Sequence, residues 1–370
     1  MILTMAMEAT TKVSAVTANF STSRTAGKPI ICKAAVCRKA GEPLVIEEIE
    51  VAPPKAWEVR VKILCTSLCH TDVTVWKLNV GSSAVFPRIF GHEAVGTVES
   101  GGDHVEEVKE GDTVLPILLP NCGECRECEF KNSNFCSTLG HQVPHAMARD
   151  GTSRFKDMNG ETLHHFCFVS SFSEYTVVDV GQVVKVDPRM PIDKACLLGC
   201  CVPTGVGSAW KVADVEEGHS VAIFGLGAVG LAVAEGARLR GVSKIIGIDL
   251  NPLKFEIAKK FGVTDVINPK ECGDSRVSQG GKTIVVGADY SGTPLKFNFG
   301  EVLFGRSVIG SLFGGIKPKK DIPIIMQKYI NKELRLDGFI THEVSFQEIN
   351  KAFDYLLQGK SIRCLIWMDE

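Results

Sequence analysis

Val221-Ala222-Ile223-Phe224 runs directly into Gly225-Leu226-Gly227-Ala228-Val229-Gly230, an apolar run followed by G-x-G-x-x-G. In isolation that glycine string is common, and its setting is what gives it meaning. The apolar residues read as a buried strand. The glycines permit a tight turn and close backbone approach, and residues 226–240 continue as a helix whose N-terminal amides suit a pyrophosphate. Residues 244–250 read as the next strand, and Asp249 closes it 19 positions after Gly230. A carboxylate there accepts hydrogen bonds from an adenosine ribose and repels a 2′-phosphate, which favours NAD(H) over NADP(H). A flexible turn followed by an ordinary strand-end acid is the weaker alternative. Lys254 reaches the ribose or phosphate, or simply solvent. The β-α-β unit predicts an α/β fold with a doubly wound Rossmann domain.

Outward from this unit the texture changes. Residues 44–51, 59–65 and 94–100 alternate apolar and polar side chains between Pro and Gly turns, so the first half reads as mainly β. Near the end, residues 322–331 and 346–358 have helical spacing and residues 362–368 read as a last strand. With 370 residues the chain has room for two or three domains. Its 45% hydrophobic and 23% charged content excludes a mostly disordered chain. Lys and Arg number 41 against 43 Asp and Glu, a net charge of -2, so no basic field draws it to nucleic acid or anionic lipid. The expected partner is a small-molecule substrate, with no nucleic acid and no membrane.

Fourteen cysteines are the compositional outlier. Residues 1–30 lack a secretory core, and no run approaches the ~18 apolar residues of a membrane helix, so reduced thiols in the cytoplasm are expected. Residues 1–30 read as a flexible tail, with an organelle transit peptide as the weaker reading. Cys122, Cys125, Cys128 and Cys136 form C-x2-C-x2-C-x7-C. Thiols so close cannot converge along one strand or helix without a metal, and four of them suit a closed structural Zn²⁺ site. An iron-sulfur cluster is the runner-up. Cys69, His92 and Cys200 are separately weak, since a lone Cys or His is more often packing. Taken together they match a Cys2His site with one position open. Asp72 and Glu93 adjoin these ligand candidates and can orient them, and His70 can face an anionic cofactor.

Cys69 and His92, the four-cysteine loop, Cys200 and the glycine turn with Asp249 stand in an order that resembles the zinc-containing medium-chain alcohol dehydrogenases. The resemblance runs from about residue 31 to 368 and is nearest to the plant alcohol-dehydrogenase-like branch, in phrases such as Leu68-Cys69-His70-Thr71-Asp72 and Ser311-Leu312-Phe313-Gly314-Gly315. It implies a GroES-like catalytic domain from residues 31–201 and 313–370, a Rossmann domain over 202–312, two zinc ions per chain, NAD(H) and a homodimer. Cys69, His92 and Cys200 then hold the catalytic zinc, and Cys122, Cys125, Cys128 and Cys136 the structural zinc. Thr71 handles the substrate hydroxyl proton, Thr74 takes the outer relay place and Glu93 stands behind the zinc. His70 and Arg363 contact the pyrophosphate, Thr204 adjoins the nicotinamide, and Leu118 and Val202 lie near the substrate. The implied reaction is hydride transfer between NAD(H) and a small to medium primary alcohol or aldehyde. The wider family also includes a hydroxynitrile lyase known from flax, so a zinc lyase splitting aliphatic cyanohydrins is the alternative. A catalytically silent chain is the third reading.

Three departures from the family pattern stand out. Thr74 replaces a relay histidine and cannot hold the proton as a cation. Cys201 and Pro203 replace a glycine and a serine after the zinc cysteine, which is expected to crowd the nicotinamide. The third is the largest. After a strand at 266–268, a polar stretch at 270–281 leads straight to a strand at 283–287, so roughly thirty residues, one helix-strand-helix unit, are missing from the doubly wound sheet. The missing strand belongs beside the glycine-motif strand. Either a gap is left there, or the next strand moves over to pair.

Overall fold

In the computed structural model, residues 25–140, 145–271, 281–287, 294, 300, 303 and 305–368 are described. Most of residues 1–30 and of the polar stretch at 270–281 therefore lie outside the described residues.

Two sheets form the β-rich part. The larger runs in the order Val183–Lys185, Thr113–Pro116, Glu93–Gly101, Glu58–Ser67, Arg363–Trp367 and Ile340–Ser345, with Tyr175–Asp179 also on Glu58–Ser67. The smaller orders Arg88–Ile89, Ile30–Cys37, Val45–Val51, Phe155–Asp157 and Thr162–Leu163. Alternation drives these strands, as where Val59, Val61 and Ile63 are buried against Ala94, Val98, Val114 and Val178. The last strand lies inside the larger sheet, between Glu58–Ser67 and Ile340–Ser345, so both halves of the chain build one layer.

Register in that layer positions the site. Ser67 pairs antiparallel with Glu93, and Leu365 with Ser67. Cys69, His92 and Arg363 each lie one or two residues beyond those pairs, so three strands end at one place. The carboxyl end of the Glu58–Ser67 strand feeds the short helix His70–Trp76 with Cys69 at its N-cap. Asp72 in its first turn accepts the Cys69 N–H at 3.0 Å, which locks the turn.

The expected β-α-β unit is present. Ser220–Phe224 pairs in parallel with Lys244–Ile248, and that with Asp265–Ile267. The helix Ala228–Leu239 packs against the helix Cys201–Gly207 through Leu231, Ala232, Ala234 and Ala237, all fully buried. Gly230 is required here: a Cβ would lie 1.9 Å from the Gly225 carbonyl oxygen. Truncating Leu231 to Ala in such a core typically costs ~2–5 kcal/mol.

The sheet then breaks. Gly281–Val285 pairs with Arg306–Gly310 as a separate two-stranded sheet, and among the described residues nothing pairs with the second edge of Ser220–Phe224. Of the two outcomes the sequence left open, Gly281–Val285 does not move over to pair with Ser220–Phe224, and among the described residues a gap is left. Phe224 is 69% exposed, although a central parallel strand is normally covered on both faces.

Buried His165 makes a prediction of its own. Its Nε2 accepts the Arg154 N–H at 3.1 Å and its Nδ1 has no partner. Burial, with the Arg154 charge, pulls it from 6.5 to about 3. The unfolded chain thus binds a proton that the folded chain refuses. The stability gained is full above about pH 6.5 and lost as pH falls toward 3, on the order of 2–3 kcal/mol between pH 7 and pH 4.5. Denaturant unfolding at both pH values should show that loss in the parent and a smaller one in His165→Asn. Equal losses would discard His165 as the cause.

Candidate active site and metal centres

The ligand atoms of Cys69, His92 and Cys200 lie within 4.8 Å of one another, and all three residues are buried. The Cys69 and Cys200 sulfurs are 4.0 Å apart. Asp72 organises the approach. Its Oδ1 accepts the Gly91 N–H and lies 3.1 Å from His92 Nδ1, while its Oδ2 holds the Cys69 N–H. A single carboxylate thereby ties the loops of two ligands together. Gly91 makes the second loop possible, since its φ is +93° and a Cβ would meet Phe172 and Ser171 at 2.5 Å.

The donor set fits a metal ion. His92 Nε2 is buried with no hydrogen-bond partner, while Nδ1 is held by a carboxylate, the arrangement that aims a ring nitrogen at a metal. The two sulfurs are within hydrogen-bond reach of each other, and either can donate. The hydrogen bond with Cys200, helped by Arg363 and His92, holds Cys69 well below the ordinary thiol range despite burial. The same bond, with burial, pushes Cys200 well above it. Cys69, His92 and Cys200 would release the thiol proton on holding a divalent cation.

Behind the cluster, Glu93 is fully buried. Its Oε1 accepts from Ser67 Oγ at 2.5 Å and from Arg363 Nε at 3.1 Å, and its Oε2 accepts the Cys201 N–H. Arg363 also reaches the Cys69 sulfur at 3.5 Å and the Ile362 carbonyl. Arg363 was expected on the pyrophosphate. It is 4% exposed, bonds Glu93 and Cys69, and also lines the cleft it shares with the glycine turn; the Leu365 to Ser67 register puts residue 363 opposite Cys69. Cys201 and Pro203 differ from expectation. Cys201 turns its sulfur to Glu93 and the Leu197 carbonyl rather than into the cleft, and Pro203 falls in the first turn of its helix, where no N–H is needed.

The four-cysteine loop forms a second cluster within the same 4.8 Å limit. Its backbone wraps the sulfurs: the Cys125 N–H donates to Cys122, Cys128 N–H to Cys125 and Leu139 N–H to Cys136, each at 3.4 Å. Lys317 ties the loop to the chain's last third through the Cys128 and Phe130 carbonyls.

Both the three-residue cluster and the glycine turn open on one cleft of about 1520 Å³. His70, Thr71, Thr74, Thr204, Lys254 and Arg363 line it. Thr71 Oγ1 lies 3.8 Å from the Cys69 sulfur. The Thr74 hydroxyl donates to the His70 carbonyl and that of Thr204 to the Cys200 carbonyl, so each must turn before it meets a ligand. The helix after the glycine turn has no side-chain cap at Gly227, which leaves its first amides facing the cleft. Asp249 is largely committed to the turn. Its Oδ2 accepts the Leu226 N–H at 2.7 Å and lies 3.3 Å from Lys254 Nζ, and its Oδ1 accepts the Asn251 N–H.

Cys167 and Phe168 also line the cleft, with φ of 49° and 59°, and were missed from the sequence. Such angles in residues with side chains are strained and leave no mark in composition or periodicity.

The comparisons with known proteins agree with this architecture. The family described as "Alcohol dehydrogenase GroES-like domain" matches residues 55–188, and "Zinc-binding dehydrogenase" matches 228–277. The second match ends in the stretch after which the sheet breaks. The chain is 56% identical to alcohol dehydrogenase-like 2 of Arabidopsis thaliana, covering 94% of this chain and 99% of that protein. That alignment spans 382 positions, of which 94% of 370 residues supplies about 348, so roughly 34 positions have no counterpart here. Alcohol dehydrogenase 1 of Petunia hybrida is 48% identical over 94% of this chain and 99% of its own length. Among solved structures, benzyl alcohol dehydrogenase from Acinetobacter calcoaceticus superposes with a TM-score of 0.83 at 29% identity, covering 92% of this chain and 100% of that one.

Proposed function

The chain belongs to the medium-chain alcohol dehydrogenase family, and on that premise we propose that it transfers hydride between NAD(H) and a small to medium primary alcohol or aldehyde at a zinc centre. The observation that carries this reading is the cleft itself, with a Cys2His cluster at one end and an uncapped glycine-turn helix at the other. Zinc held by Cys69, His92 and Cys200 would supply Lewis-acid polarisation of the substrate oxygen. A second zinc on Cys122, Cys125, Cys128 and Cys136 would hold their loop closed.

The chain's own residues do the rest. Asp72 fixes the His92 ring. Thr71 takes the hydroxyl proton and passes it outward along the His70–Trp76 helix, where Thr74 offers the next hydroxyl once it leaves the His70 carbonyl. Glu93 and Arg363 set the field behind Cys69. Gly225, Gly227 and Gly230 shape the pyrophosphate turn, His70 offers a ring nitrogen and Lys254 an ammonium along it, and Thr204 flanks the path to the nicotinamide. Leu118 and Phe168 make the substrate end apolar.

The open sheet favours a second reading in which the metal is held but the dinucleotide is bound loosely. Asp249→Ala separates the two. It should weaken NAD(H) binding about tenfold and erode discrimination against NADP(H), since the variant loses both the carboxylate that meets the ribose and the anchor of the Leu226 amide. Fluorescence titration with NADH and NADPH reads this directly. An unchanged preference would reduce Asp249 to a turn-holding acid.

A further inference from the structure

Phe313, Gly314 and Gly315 take left-handed backbone one after another, with φ of 50°, 65° and 66°. Glycine adopts such angles freely, but a phenylalanine keeps one only where its surroundings fix it. Ser311, Leu312 and Phe313 line the cleft, so this turn is one of its walls.

Two neighbours fix the turn. On its inner side lies the helix that follows Cys200. A Cβ at Gly314 would come within 2.5 and 2.6 Å of the Pro203 and Thr204 carbonyl oxygens, and Ser311 Oγ is 2.8 Å from Ser208 Oγ. On its outer side lies the four-cysteine loop. Asn134, 7% exposed and two residues before Cys136, donates from Nδ2 to the Leu312 carbonyl at 2.8 Å and to the Ile316 carbonyl at 3.4 Å. These carbonyls bracket the three left-handed residues, and both are acceptors, so only the amide nitrogen of Asn134 suits them. Lys317 fastens the segment just beyond the turn to the same loop, which leaves Asn134 to act on the turn itself.

We propose that Asn134 is a positioning residue for the cleft: its side-chain amide fixes the turn at 312–316 and thereby couples the four-cysteine loop to the cleft wall. The inference rests on the cleft being the NAD(H) site. Without the two bonds the turn loses its outer hold, and the cleft pays to order its wall each time a ligand enters.

The test compares the zinc-loaded full chain with Asn134→Asp and Asn134→Ala. Aspartate keeps the shape but sets an acceptor against two carbonyls, whereas alanine removes the donor and leaves room for water. Hydrogen exchange read by mass spectrometry should quicken in peptides covering 311–316 in both variants. NADH affinity, by fluorescence titration, should fall about threefold in Asn134→Ala and about tenfold in Asn134→Asp, with zinc content equal to the parent's. A packing role alone gives the reverse order, since alanine removes more contact. Unchanged exchange at 311–316, the reverse order or unaltered NADH affinity would each overturn the proposal. Zinc lost from the variants would overturn it too, because Asn134 would then serve the metal loop. A parent that binds no NADH overturns the redox reading and this inference with it, while a parent and variants that bind it equally overturn this inference alone.

Discussion

Cys69→Ala is expected to abolish alcohol oxidation, with kcat/KM down by a factor of at least about 10⁴, and His92→Ala to do the same. Each removes one of the three donors that, among the described residues, converge there within 4.8 Å, and the loss is not confined to that donor. Without Cys69, Arg363 and Glu93 keep their charges beside a cluster that has lost its anion. Without His92, Asp72 keeps a buried carboxylate whose imidazole partner is gone. Leaving such a charge unpaired typically costs ~3–5 kcal/mol. Metal analysis should fall from two equivalents of zinc to one, with the remaining ion on the four-cysteine loop. Activity retained in either variant would remove the catalytic assignment. A fall to zero equivalents would mean that the two centres are not independent.

The second large effect belongs to that loop. Cys136→Ser, at a fully buried position, is expected to release the other zinc equivalent and to lower the thermal midpoint by about 10 °C or more. The cause is structural. Residues 122–136 have little apolar packing of their own beyond Cys128, Cys136 and Leu139, and the Cys125, Cys128 and Leu139 amides point at sulfur. With the ion gone, the thiols repel as anions or lose their N–H partners as neutral groups. The contacts of Lys317 with the Cys128 and Phe130 carbonyls then carry the disturbance to the helix Pro318–Ile330. Limited proteolysis should cut variant and chelated protein within the loop before elsewhere. Full zinc content and an unshifted midpoint in Cys136→Ser would show that this loop needs no metal.

Much of the site was legible before the fold was seen, because metal and phosphate chemistry constrains residue type and spacing together. Four cysteines at close spacing have few structural uses other than a shared ion. The glycine turn was legible from its flanks, and the short sheet from counting strands after residue 268. What escaped depends on strand register and side-chain direction, which no local pattern encodes. Arg363 was expected on the pyrophosphate from the family resemblance, which said nothing of its contacts with Cys69 and Glu93; these follow from the pairing of Leu365 with Ser67. Asp249 looked like a free ribose ligand, yet most of its acceptor capacity holds Leu226 and Asn251 amides. Cys201 was expected to crowd the cofactor and instead faces Glu93, since adjacent residues on a helix point about 100° apart and Cys200 already faces the metal space. The positive φ angles at Cys167 and Phe168 left no trace in the sequence.

The split sheet also bears on function. In a doubly wound sheet a dinucleotide binds at the switch point, which here lies beside the strand Ser220–Phe224, whose second edge has no partner among the described residues. The glycine turn, the helix behind it and Asp249 keep the geometry of a nucleotide cradle, while among the described residues nothing pairs beyond Phe224.

The central claim is that the Cys2His cluster and the glycine-turn cleft act together in hydride transfer. The most direct test is to give zinc-loaded protein NAD and a primary alcohol carrying two deuterium atoms on its hydroxyl carbon, and to examine the nicotinamide by NMR or mass spectrometry. The expected result is deuterium at nicotinamide carbon 4, absent when Cys69→Ala replaces the parent. Folded, zinc-loaded protein that leaves the nicotinamide unlabelled yet releases cyanide from an aliphatic cyanohydrin would contradict it.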